Sequence, residues 1–353
     1  MTLDPSVAAV RLAVRRELVR GSKAEPWVPG TDTVLVACSG GADSLALLAA
    51  TVFELKRAPV RVVGAVVDHG LQDGSADHTA RVVAQMARLG VDETVSARVQ
   101  VDPGGLGPEA AAREARYEVL DQMARHFGAP TVLLGHTLDD QAETVLLGLT
   151  RGSGGRSLAG MRPAFMLHEG QAREWSPVQD PIFRRPLLGV RRAQTEAACR
   201  AEGIEFWTDP HNADQRFTRA RVRRTVLPML ERELGPGVVE TLARTAEQLR
   251  PDMEALDDLA AAEYAARRRP EGLDVDTFHG VADALRPRLV RQAALDAGSP
   301  ASELFHVHVK ALLGLVASEG QVGEIQLPGH VTAYVEGDLL RFRPTAPPPG
   351  ADH

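Results

Sequence analysis

The stretch VLVACSGGADSLALLAA, residues 34–50, halts a β-branched apolar run at two glycines and restarts it as a run rich in Leu and Ala. A strand, a glycine turn and a helix in that order expose free amides at the positive end of a helix dipole, which makes an anion site. Gly40 and Gly41 permit positive φ and close backbone approach, while Ser39 and Ser44 add hydroxyl donors. With Ala42 they form a candidate phosphate cradle. Asp43 is the discordant member. A carboxylate beside a phosphate is repulsive unless a cation lies between them, so Asp43 is the candidate ligand for Mg²⁺. Turn chemistry offers a plainer account, in which a Ser or Asp here merely caps the helix. The lysine of a G-x-x-x-x-G-K-[ST] phosphate loop is missing from this stretch.

A second concentration of chemistry lies in LLGHTLDDQAETVLLGLTRGSG, residues 133–154. On a helix Asp139 and Glu143 are four apart, and Asp140 and Glu143 three apart, so the carboxylates cluster at its start. Thr137 and Asp140 have capping-box spacing, and acids in a first turn favour the dipole, so capping explains part of the cluster. It does not explain three acids together with His136. Asp139 and Glu143 are the candidates to orient an amine or take its proton. In EAAAREARYEVL, Arg113 and Arg116 lie one turn apart. Arg113 is either a surface residue or a guanidinium that steadies phosphate charge in a transition state.

These residues need elements that bring them together. Val34–Cys38, 60–70, 93–101 and 131–136 read as strands. Ala76–Leu89, Glu109–Phe127 and Leu138–Leu149 read as helices between and after them. Alternation of this kind means βαβ crossovers and a parallel sheet covered on both faces, with ligands beyond the carboxyl ends of the strands. Residues 39–44, Asp68 with His69, and residues 136–140 are therefore expected to converge. RGSGGRSLAGMRP (151–163) reads as a mobile loop over that site, and LHEGQAREWSP as a surface insertion. Residues 216–250 read as helix broken at Pro228 and near GPG, 251–316 as helical, and 323–342 as a small sheet.

The chain has 353 residues, 44% of them hydrophobic, which suits two domains with sizeable cores. No apolar run reaches the roughly 18 residues that span a bilayer. The N-terminus reads as an amphipathic helix without signal-peptide layout, so a cytoplasmic location without membrane contact is expected. Two cysteines, Cys38 and Cys199, make neither a disulfide framework nor a C-x-x-C metal site. A net charge of −7 argues against indiscriminate nucleic-acid binding. Between Arg184 and Arg224, however, ten arginines face five acids, and residues 216–224 hold five arginines and no acid. Arg184, Arg185, Arg216, Arg219, Arg223 and Arg224 are the candidates for one defined polyanion contact; a solvated arginine-rich helix is the alternative.

Residues 39–44 match S-G-G-x-D-S, the loop of the N-type ATP pyrophosphatases. SGGADS, VVDHGLQDGS, PEAAAREARY, LLGHTLDDQAETVLLGLTRGSGG, RRPLL and WTDPHNADQRFTRARVRRTVLPML also occur in the order and at about the spacing of the tRNA(Ile)-lysidine synthase family. The resemblance covers roughly residues 33–230, and the rest is similar to the C-terminal domain of short members. It implies an α/β fold: a parallel-sheet PP-loop (adenine nucleotide alpha hydrolase-like) domain over 1–215, basic linker helices over 216–250, a small mainly α tRNA-contacting domain with a short β region over 251–342, and a disordered tail over 343–353. It implies that ATP and Mg²⁺ adenylate the wobble cytidine of tRNA(Ile) with a CAU anticodon, and that free L-lysine then displaces AMP. Ser39–Ser44 and His136 would bind nucleotide, Asp43 would share the metal, Arg113 would stabilise the adenylate, and Asp139 with Glu143 would handle the amine. Gln72 stands where members often have arginine. Whether the chain is a homodimer is left open. A PP-loop tRNA thiolase, a synthetase of small amides and a non-catalytic tRNA-binding protein that keeps the loop are the rivals.

Overall fold

Val34 and Val36 pack into one buried cluster and Leu35 into another, the alternation expected of a strand covered on both faces. The computed structural model describes residues 3–20, 33–68, 74–99, 108–152, 154–168, 176, 179–208, 215–301, 303–317 and 323–345. His69 and Gln72 lie outside them, as does most of the expected insertion. The chain forms two units, one of Met1–Leu147 with Gly160–Arg244, the other of Gly148–Ala159 with Thr245–His353.

The first unit contains α1 (Pro5–Arg20), β1 (Thr33–Ala37), α2 (Ala42–Leu55), β2 (Arg61–Asp68), α3 (Ser75–Arg88), β3 (Glu93–Arg98), α4 (Pro108–Phe127), β4 (Thr131–Leu133) and the start of α5 (Leu138–Arg151). Strands β5 (Ala164–Met166) and β6 (Ile182–Arg184) extend the sheet to the order β3-β2-β1-β4-β6-β5. All neighbours pair in parallel except β5 with β6. The parallel sheet is thus as expected, with two additions. Strands of three residues are too short for an alternation to show in sequence. One face carries Val34, Val36, Val62, Val66 and Leu133 against Val7, Val10 and Val14 of α1 and the apolar side of α2. The other carries Leu35, Val63, Val132 and Phe183 against Tyr117 and Leu120 of α4.

Gly135, just past β4, has a structural reason. A Cβ there would stand 3.0 Å from the backbone N and Cα of Ser44, so glycine lets this strand end approach the start of α2. Beyond β6 follow a 3₁₀ turn (Pro186–Gly189), α7 (Arg192–Ala201) and a continuous helical run. That run comprises a turn at Thr218–Arg221 (α8), a π-helical turn at Val222–Val226 and α9 (Leu227–Leu234). The expected break at Pro228 does not occur. Pro228 lacks the amide of an i→i−4 bond, and the helix widens into the π turn before it instead of stopping. It ends at Gly235, φ +97.

Helix α10 (Val238–Arg267) continues through Pro251. In the second unit the hairpin β7 (Arg268–Arg269) and β8 (Gly272–Asp274) interrupts the region expected to be helical. With β9 (Glu324–Leu327), β10 (Val331–Glu336) and β11 (Leu339–Pro344) it makes an antiparallel sheet of order β7-β8-β11-β10-β9. Helices α11 (Arg286–Asp296) and α12 (His306–Ala317) pack on it through Leu289, Val290, Leu312 and Leu315. β11 pairs with β10 as far as Pro344, two residues into the expected tail; residues 346–353 lie outside the described ones. The segment expected as a mobile loop contains a helical turn, Gly155–Leu158, against Met253, with Arg156 paired to Asp257 at 2.6 Å.

Candidate active site

The turn between β1 and α2 leaves helix amides without partners. Gly41 is the N-cap, and no side chain caps the helix. The Ser44 hydroxyl instead donates to the Gly41 carbonyl at 3.0 Å and accepts from the Ser39 amide at 3.1 Å, tying the turn to itself. The capping alternative is therefore not realised. The Gly40 amide faces the Cys38 thiol, while among the described residues no backbone carbonyl accepts from the amides of Gly41, Ala42 or Asp43. Gly40 sits at φ +81, which only glycine adopts without strain. Partnerless amides at a long helix's positive end are suited to phosphate oxygens.

The Asp43 carboxylate turns away from its own helix start. It accepts from the Thr195 hydroxyl and from Arg192 Nε at 3.3 Å, both on α7. Burial pushes this carboxyl up to about 6, helped by the charge of Asp140, while Arg192 and Thr195 oppose the rise. Asp140 caps α5, accepting from the Thr137 amide and hydroxyl at 2.8 Å each, so the capping box is real. It also accepts from Arg192 Nη2 at 2.7 Å and Arg223 Nη2 at 3.2 Å. Burial alone would raise Asp140, but Arg192 and Arg219 beside it hold it well below the carboxylate range. Asp139 accepts from the Arg192 amide at 2.7 Å, so it caps α7 and not its own helix.

Glu143 is the centre of this network. Its side chain has 0% exposure and accepts from Arg223 Nε at 2.7 Å, Arg219 Nε at 2.9 Å and Arg192 Nη1 at 3.4 Å. A carboxylate so enclosed does not meet a substrate amine directly; it holds three guanidinium groups in place. This enclosure weighs against the expectation that Glu143 itself orients the amine or takes its proton.

His136 follows β4 and accepts at Nδ1 from Arg185 Nε at 3.2 Å, which leaves the ring proton on Nε2. Burial, then Arg185, hold the imidazole well below its ordinary value, so it is neutral. Arg185 is buried, its guanidinium 4.3 Å over the Phe165 ring and within 3.4 Å of the Tyr117 hydroxyl. Arg113 is exposed on α4, 5.5 Å from the Tyr117 ring, and Arg116 stands as close to that ring.

The expected arginine stripe thus has several uses. Arg184 donates to Glu17 at 3.0 Å, Arg185 supports His136, and Arg219 and Arg223 enclose Glu143. Arg216 and Arg224 are exposed. The cause is the buried acids, which recruit whichever cations the fold brings near. Arg192 and Thr195 escaped sequence reasoning as site residues. The one available signal was that clustered acids call for cations in compensation.

A PP-loop domain family matches residues 15–230. The chain is 45% identical to a tRNA(Ile)-lysidine synthase of Streptomyces coelicolor, over 96% of this chain and 98% of that one. It is 46% identical to the Salinispora arenicola enzyme of that name (98% and 99%) and 47% identical to the Thermobifida fusca one (92% and 94%). A U34-tRNA thiolase from Methanococcus maripaludis, with its [4Fe-4S] cluster, shares the fold at TM-score 0.55 and 16% identity, over 69% of this chain and 79% of that one.

Glu143→Gln tests the network. With the charge removed from among Arg192, Arg219 and Arg223, the protein should lose about 3–5 kcal/mol of stability in urea unfolding. Wild-type stability in this variant would show that the arginines do not depend on it.

Proposed function

The chain belongs to the tRNA(Ile)-lysidine synthase family, and from that premise we propose that it joins free L-lysine to C2 of the wobble cytidine in an isoleucine tRNA with a CAU anticodon, using ATP. The observation that carries the mechanism is the uncapped start of α2. The C2 carbonyl oxygen attacks the α-phosphorus of ATP, and pyrophosphate departs. The amides of Gly40, Gly41, Ala42 and Asp43, with the Ser39 hydroxyl, receive the charge that develops on the leaving group. The lysine ε-amine, having lost a proton, then attacks C2, and AMP leaves. Arg113 on α4 is assigned to the adenylate phosphate, and neutral His136 offers Nε2–H to the nucleotide. Asp139 is assigned to orient the amine, while Glu143 acts through its arginines.

Among the described residues no group of three or more His, Cys, Asp or Glu side chains is arranged to hold a metal ion. That fits Mg²⁺, which is commonly held by one or two carboxylates together with substrate phosphates. Asp43, beside the loop, is the residue to share it. Once bound, the ion would neutralise phosphate charge.

The exposed Arg216 and Arg224 are assigned to tRNA phosphates, and the second unit to a further tRNA contact. No helix among the described residues is long and apolar enough to cross a membrane. The tRNA and ATP used as substrates support a cytoplasmic reaction. A thiolase reading meets an obstacle in the thiols. Cys38 and Cys199 are both buried, and burial pushes Cys199 up to about 12, so neither is a ready thiolate.

Three measurements test the proposal. Incubating CAU tRNA with ATP and lysine should add a lysyl mass to the anticodon cytidine, seen by mass spectrometry of the digested tRNA; a tRNA that binds but gains no mass points to the non-catalytic reading. Because Asp43 gains a proton as pH falls through about 6, kcat/KM for ATP should decline on that side and level off above it. An acid limb lying wholly below pH 5 would remove Asp43 from the metal. Reversing Arg216 and Arg224 to Glu should weaken tRNA binding and reduce the salt slope by about 2. Unchanged affinity would move the phosphate contacts elsewhere.

A further inference from the structure

Outside the loop, two residues hold its carbonyls. His78, on α3, places Nε2 3.0 Å from the Ser39 carbonyl oxygen, and the Trp207 amide donates to the Gly40 carbonyl at 2.9 Å. Their rings meet with centroids 4.1 Å apart at 42°. Gln85 of α3 donates to the Glu205 carbonyl, so α3 and the 205–207 segment are joined a second time nearby. The fit against the loop is close: a Cβ at Gly40 would stand 2.6 Å from Val82 Cγ2 and 3.1 Å from His78 Cε1.

Peptide geometry turns these contacts into a direction. In a trans peptide the C=O and the following N–H point opposite ways. The Ser39 carbonyl shares its peptide plane with the Gly40 amide, and the Gly40 carbonyl shares its plane with the Gly41 amide. With both oxygens drawn toward His78 and Trp207, both amides are aimed the other way, the Gly40 amide on the side of the Cys38 thiol. Neither peptide is held by helix hydrogen bonds, since both precede α2. A glycine at φ +81 has other conformations open to it, so the holding contacts decide which one persists.

We propose that His78 and Trp207 form a clamp that aims the Gly40 and Gly41 amides at the departing diphosphate, with His78 as a positioning residue for the first chemical step. The inference rests on the assignment of residues 39–44 as the diphosphate site. Without the His78 donor the Ser39 peptide loses the hold on its carbonyl and keeps only the weak contact of the Gly40 amide with the Cys38 thiol. An oxygen then faces the anion where an N–H should be. The Trp207 ring keeps the imidazole in place, and its backbone amide holds the second carbonyl.

The test compares His78→Phe, which keeps a ring for Trp207 and loses the donor, with His78→Gln, which keeps a donor. The probes are kcat/KM for ATP, KM for lysine, and calorimetric binding of inorganic pyrophosphate with Mg²⁺ to the full chain. Loss of one aligned hydrogen bond should lower kcat/KM for ATP and weaken pyrophosphate each by about tenfold in His78→Phe. KM for lysine should stay as it was, and His78→Gln should recover most of the loss. Pyrophosphate binding equally to wild type and His78→Phe overturns the clamp and leaves the proposed reaction standing. Wild type that binds no pyrophosphate overturns the site assignment and the clamp with it. Equal damage in both variants to ATP and lysine parameters alike, with a lowered melting temperature, marks His78 as merely structural and also overturns the clamp.

Discussion

A carboxylate without exposed surface needs cations packed against it, and Glu143 finds them in arginines from two separate segments. Arg192 comes from the start of α7, and Arg219 and Arg223 from the helical run before α9. Removing water from an ion costs several kcal/mol, so the arrangement holds only while its members stay together. It joins α5 to two segments that lie about 50 and 80 residues further along the chain. The same guanidinium of Arg192 reaches Asp43 and Asp140, which ties the first turn of α2 to the first turn of α5.

The loop between β1 and α2 follows the opposite logic. Where the acids are satisfied within the protein, the amides from Gly41 to Asp43 meet no backbone carbonyl among the described residues. The Ser44 hydroxyl, which could have capped the helix, is spent on the turn itself. Unmet donors at one side and internally neutralised acids at the other leave an electropositive cradle for phosphate beside a rigid polar wall. Gly135 brings the two together, because any larger residue would hold the end of β4 off the backbone of α2.

Much of this was legible in the residues. The alternation of Val34, Leu35 and Val36 announced a strand covered on both faces, and the glycines after it announced a turn. Asp140 could be recognised as a cap from its spacing to Thr137 alone, a local relation that needs no tertiary information. Pro228 misled, because its missing amide was absorbed by a π turn where a break was expected. Strands β5, β6, β7 and β8 have two or three residues each, too few for periodicity to register. The arginines were the least legible. A run rich in one charge looks like a surface for polyanions, yet Arg185 ended beneath His136 and Arg219 and Arg223 around Glu143.

Sequence by itself determined what depends on neighbours along the chain: the βαβ order, the glycine turn, the capping box and the family. Tertiary structure alone decided which charges meet. Asp139 caps a helix that begins 53 residues later, and Arg192 joins acids that two different strand ends deliver. The reason is physical. Hydrogen bonds within a turn are set by spacing, whereas the partner of a buried charge is set by whatever cation the packed fold brings within reach.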